Sequence, residues 1–216
     1  MSDTNLQLVR EFFELNLFSV LTHWQDPAFR PRPAESSVLL FVENLHPPMG
    51  DDAPDFVLAP ESLPALHRAV VDIRAWHADR FYPSVIKSSA VLGQFVAEDS
   101  LHFARQVFGT PEFATILVIS ELPASPGLRT HAIDKLRDIG IGHVLEFPVL
   151  LRDLLDKISG TTVYPSQTLQ TLRLLKRYRF LQRQQLEFAF PLEPVVPITS
   201  PQVDASDAAE EEETEE

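Results

Sequence analysis

Residues 113–120 read Phe-Ala-Thr-Ile-Leu-Val-Ile-Ser, a short apolar run rich in β-branched side chains and free of charge. A strand of this kind has no side fit to face water. It must be covered on both faces, as a sheet lying between helices is. The flanking text agrees. Residues 97–108 read as a helix with Glu98 and Asp99 in its first turn, where negative charge suits the dipole, and Gly109 as a stop. Residues 128–139 read as a helix ending at Gly140, 142–147 as a short strand, and Pro148 as the opening of a helix over 149–158. Strands alternating with helices predict a mixed or parallel sheet.

The first half is richer in strand. An apolar stripe of Leu6, Val9, Phe12 and Phe13 predicts a helix over 5–15, with Asn16 as its stop. Residues 17–24, 37–45 and 69–77 read as strands. Between them lie loops rich in proline: 26–34, and 46–59 with Pro47, Pro48, Gly50 and Pro54. Residues 62–67 suit one helical turn, and 79–94 has no clear pattern. A longer helix is expected over 167–185. Beyond it Pro191, Pro194, Pro197 and Pro201 precede an acidic run, so one α/β domain over 1–186 and a disordered tail over 187–216 are expected.

Composition removes several classes of chemistry. With no Cys, the chain has no disulfide, no thiolate nucleophile and no Cys-ligated metal. No apolar run approaches the length of a membrane span, and no signal peptide is legible, so a cytoplasmic protein without membrane partners is expected. The formal net charge is −13, but eight of the acids lie between 204 and 216, leaving −5 on the remainder. A mildly acidic body does not attract nucleic acid as a whole. The seven His show neither HExxH nor HxH spacing, no glycine-rich phosphate loop is present, and Ser120 lacks the glycines of a nucleophile elbow.

Three local features carry the functional reading. Glu11 and Glu14 lie three apart on the first helix. The third strand reads Val71-Asp72-Ile73-Arg74, an acid and a base two apart and so on one face. The later strand with its following helix, then Gly142-His143-Val144-Leu145, completes the layout helix, three strands, helix, strand, helix, strand. Over residues 5–158 this layout resembles the PD-(D/E)xK, or restriction-endonuclease-like, nuclease superfamily. The resemblance implies a three-layer core with a mixed central sheet flanked by helices. It also implies a catalytic set of Asp72, Arg74, Glu11 and Glu35, with Asp72 and Glu35 as ligands of Mg²⁺. Two carboxylates would hold the ion at hard oxygen ligands, and the ion would activate water for attack on a phosphodiester. The sequence departs from the pattern twice. Ser36 and Ser37 stand where the second strand should begin with an acid, leaving Glu35 one step early, and Arg74 stands where the pattern has Lys. The set is that of a degenerate member.

Binding residues are expected elsewhere. The segment Trp76-His77-Ala78-Asp79-Arg80-Phe81-Tyr82-Pro83 follows the acid–base strand and reads as a loop, where ligand contacts concentrate; Trp76, His77 and Arg80 are its candidates, against a plain surface connection anchored by aromatics. Arg173, Lys176, Arg177, Arg179 and Arg183 stud the last helix beside a leucine stripe. They read as a nucleic-acid or acidic-partner surface over 173–183, as the solvated face of a packed helix, or as the counter-charge to the acidic tail. The expected function is a non-catalytic nuclease-like domain that binds a protein partner, in assembly or regulation, without a cofactor. The alternatives are a Mg²⁺-dependent nuclease with a divergent site and a small regulatory domain of flavodoxin type.

Overall fold

The computed structural model describes residues 3–22, 39–47 and 53–181. The loop over 26–34, the start of the second strand at 37–38, Glu35, Arg183 and the tail from 187 lie outside them. The chain's first compact unit is Met1–Gln182. Its elements run α1 (Asp3–Leu15), β1 (Phe18–Thr22), β2 (Leu40–Asn44), a 3₁₀ turn (Pro60–Ala65), β3 (Arg68–Arg74), α2 (Pro83–Ser88), α3 (Ala90–Phe95), α4 (Glu98–Phe108), β4 (Ala114–Ile119), α5 (Pro126–Ile139), β5 (His143–Glu146), α6 (Phe147–Lys157) and α7 (Gln167–Arg177).

Among the described residues the five strands form one sheet in sequence order, β1-β2-β3-β4-β5. β1–β2 and β2–β3 are antiparallel, whereas β3–β4 and β4–β5 are parallel. A flavodoxin-type sheet, parallel throughout and in another strand order, is excluded by these pairings. The parallel pairs need crossovers, supplied by α2–α4 and by α5. The outer edge of β5 is covered: Leu58 N–H donates to Val144 O (2.8 Å), and Val144 N–H to Phe56 O (2.7 Å).

The pleat divides the core in two. Ala69, Val71 and Ile73 of β3 join Ile116, Val118 and Leu145 on one face, under Phe12 and Phe13 of α1, Leu150 and Leu154 of α6 and Leu169 of α7. Val70, Leu117, Ile119 and Val144 face the other way, against Ile86, Leu92, Phe95, Ala104, Ala132 and Leu136 of α2–α5. Burying a side chain of this size stabilises by about 1.5–3 kcal/mol, so two fully covered faces supply most of the driving force. β4 is buried on both faces, as its apolar run required.

Helix ends follow sequence chemistry where glycine is present. Gly109 (φ 66°) and Gly140 (φ 100°) turn left-handed after α4 and α5. At Gly140 the pair Gly140 N–H to Arg137 O and Ile141 N–H to Leu136 O closes a Schellman cap. The expected helix over 167–185 is shorter: α7 ends at Arg177, and Arg179 takes φ 60° without being glycine. Phe180 N–H then reaches back to Leu175 O (3.0 Å). The stretch 79–94 resolves into two single-turn helices, α2 and α3, each six residues long.

Candidate functional site

The acid–base pair expected on β3 is real as a pair. Asp72 and Arg74 lie on the same face, in register with Leu117 and Ile119 of β4. Arg74 Nε donates to Asp72 Oδ2 at 2.8 Å. Asp72 is 0% exposed, and its Oδ1 makes no hydrogen bond. Burial pushes its carboxyl above the ordinary value, against the attraction and hydrogen bond of Arg74 and the N–H of Ile73. Desolvation outweighs the single guanidinium contact, as it does where a buried ion pair is incompletely hydrogen-bonded.

Among the described residues of the expected catalytic set, Asp72 and Arg74 are brought together and Glu11 is not. Asp72 and Arg74 share the β3 phase of Val70 and face the α2–α5 layer, whereas α1, which carries Glu11, packs on the opposite face of the sheet. Glu11 is buried on α1 and accepts a hydrogen bond from Gln7 Nε2. Glu14 pairs with Arg10 (2.7 Å) at the surface. Glu35 lies outside the described residues. Among those described, no three His, Asp or Glu side chains converge as a metal cage. Among the described residues the donor set does not fit Mg²⁺: one oxygen of Asp72 is held by a cation, and no group of three acidic or imidazole side chains forms around it. The physical reason is the period of two along a strand. Sequence puts Asp72 and Arg74 on one face, and the phase of Val71 and Ile73 then decides which helix layer that face meets.

A cleft of about 740 Å³ lies instead at the carboxyl ends of β3, β4 and β5, in the size range of small-ligand sites. The ends of parallel strands are where open α/β sheets bind ligands. Asn5 and Leu8 of α1 form one wall, Phe147, Pro148 and Leu151 of α6 another, and the loops after β3 and β4 the rest. The loop is tied down at several points. Ser120 Oγ donates to Asp79 O (2.6 Å), Phe81 N–H to Glu121 O (2.8 Å), and Arg80 pairs with Glu121 (2.9 Å). His77 meets Asn5 Oδ1 through Nε2 (3.2 Å) and sets its ring edge-on to Phe147, centroids 4.6 Å apart.

Of the loop residues singled out from sequence, His77 and Arg80 line this cleft and Trp76 does not. Trp76 stacks on Phe81 (5.1 Å, 8°) and serves as packing. Among the cleft residues that sequence reasoning missed are Asn5, Phe147 and Glu121. Each sits at the end of an element remote in sequence, and nothing local marks it.

Of the basic residues expected on α7 and just beyond it, Arg177 and Arg179 are exposed, whereas Lys176 is engaged by the fold. Lys176 Nζ donates to Leu155 O (2.5 Å) and Ile158 O (2.7 Å), and so caps the C-terminus of α6. Arg177 Nη1 makes only a long contact to Gly160 O (3.5 Å). Arg173 Nε is buried without a hydrogen bond. Arg179 occupies the left-handed turn after the helix. Among the described residues no helix is long and apolar enough to cross a membrane. Compared with known proteins, the chain matches no family model, no curated protein and no solved structure.

Proposed function

We propose that this chain is a non-catalytic domain, similar in layout to PD-(D/E)xK nucleases, that works by binding a protein partner. One observation carries the reading. Asp72, the acid on which a nuclease site would depend, is held by Arg74 on the sheet face opposite α1 and Glu11. The resemblance in layout draws support from the element order and from a sheet whose first three strands are antiparallel and whose fourth is parallel.

A protein partner rather than nucleic acid is favoured by two features. The net charge of −13 opposes polyanions, and Lys176 in the last turn of α7 is already used. At the same helix end Tyr178 and Phe180 are 64% and 76% exposed beside Arg177, a mixture enriched at protein interfaces. The test is a Mg²⁺ and Mn²⁺ titration by calorimetry with a parallel strand-cleavage assay. The expected result is neither saturable binding nor cleavage. Metal-dependent cleavage lost in Asp72→Ala would overturn the reading in favour of a divergent nuclease.

A further inference from the structure

The cleft at the strand ends holds a set of uncommitted acceptors. Asn5 Nδ2 donates to Ala75 O (3.3 Å), so its Oδ1 is the atom turned to His77. An amide oxygen only accepts, so His77 Nε2 carries the hydrogen, and in the neutral ring Nδ1 is left with a free lone pair. In the same lining, Asp79 and Tyr82 are exposed, and the Asp79 carboxylate and the Tyr82 hydroxyl have no partner among the described residues.

Positive charge in the same cleft is already used. Arg80 is paired with Glu121 at 2.9 Å. The N-terminus of α6 offers no open amide at its first two positions: Phe147 N–H donates to Ser120 O (3.2 Å), and Pro148 has no N–H. The site therefore asks for donors and positive charge, while Leu8, Phe147 and Leu151 offer an apolar wall.

We infer that this cleft binds a small molecule carrying an ammonium group on a compact apolar body. The ammonium donates to the Asp79 carboxylate and to His77 Nδ1, both acceptors, and the apolar body lies against Leu8, Phe147 and Leu151. A charge-assisted contact of this type fixes orientation, and burial of the body supplies the rest. The site is separate from the exposed end of α7 and stands whether or not a protein partner binds there.

The test uses the full chain, uniformly ¹⁵N-labelled, titrated with phenethylamine and with phenylacetate, which share a ring and differ in charge. Phenethylamine should shift the amides of 77–82 and 120–121 saturably, with an affinity in the millimolar range or better. Asp79→Asn should weaken it about tenfold, with the remaining cross-peaks unmoved. Phenylacetate should leave these amides unshifted. Phenylacetate binding equally well, an unchanged Asp79→Asn variant, or no saturable shift at the cleft would each overturn the assignment. A failure here leaves the metal titration result unaffected, so the two readings are tested apart.

Discussion

Arg74 meets Asp72 through one nitrogen and one oxygen only: Nε lies 2.8 Å from Oδ2, while Oδ1 has no hydrogen bond at all. A bidentate fork would have satisfied both oxygens. The pair therefore sits among Val70, Leu117 and Ile119 with half of the carboxylate unanswered, in a face otherwise built from aliphatic and aromatic side chains.

Removing one partner should cost far more than removing both. Asp72→Ala leaves the largely buried Arg74 without its counter-ion and is expected to lower stability by about 3–5 kcal/mol. The double variant Asp72→Leu/Arg74→Leu should fall within about 1 kcal/mol of the parent, or exceed it. Urea unfolding of the three proteins checks this. A double variant as weak as Asp72→Ala would show that the pair holds the fold by attraction.

The same carboxyl sets a pH dependence. Its pKa in the folded chain is raised above the ordinary 3.8 by burial. The folded state therefore binds this proton more tightly than the unfolded state does. Its contribution to stability is fully present below 3.8 and is lost as pH rises through the folded value. Asp72→Asn abolishes the dependence, so the stability of the parent relative to Asp72→Asn should fall with pH from about 3.8 upward and then level off. A difference that instead rises as pH climbs towards about 3.8 and stays flat above it would mean that Arg74, and not desolvation, dominates.

Lys176 is expected to matter as a cap, not as a ligand. Lys176→Met keeps the aliphatic stem but removes the donors to Leu155 O and Ile158 O, and should cost about 1–2 kcal/mol. Arg177→Met, whose contact to Gly160 O is 3.5 Å long, should cost under about 0.5 kcal/mol. Thermal unfolding of both separates a structural lysine from a surface arginine. Equal effects would reject the assignment.

Much of the fold was legible because each signal was local. The apolar run at 114–119 admits no solvent-facing side, and the two glycine stops at 109 and 140 coincide with left-handed residues that other side chains avoid. The end of α7 was not legible. No glycine or proline marks it, and Arg179 takes the left-handed turn while Phe180 N–H closes on Leu175 O. The candidate site divides in the same way. That Asp72 and Arg74 share a face follows from the strand period alone, and that His77 and Arg80 reach a cleft follows from a loop at a strand end.

What sequence determined by itself was a chain of short strands and amphipathic helices, with an acid and a base side by side on the third strand. What only tertiary structure decided was which layer each face meets. Packing Val71 and Ile73 against α1 turned Asp72 and Arg74 towards α2–α5, away from Glu11. Packing α6 beside α1 brought Asn5, His77 and Phe147 to one cleft from positions 70 residues and more apart. Sequence period specifies faces, but the pairing of faces is a collective outcome of burying every apolar side at once, and no local stretch encodes it.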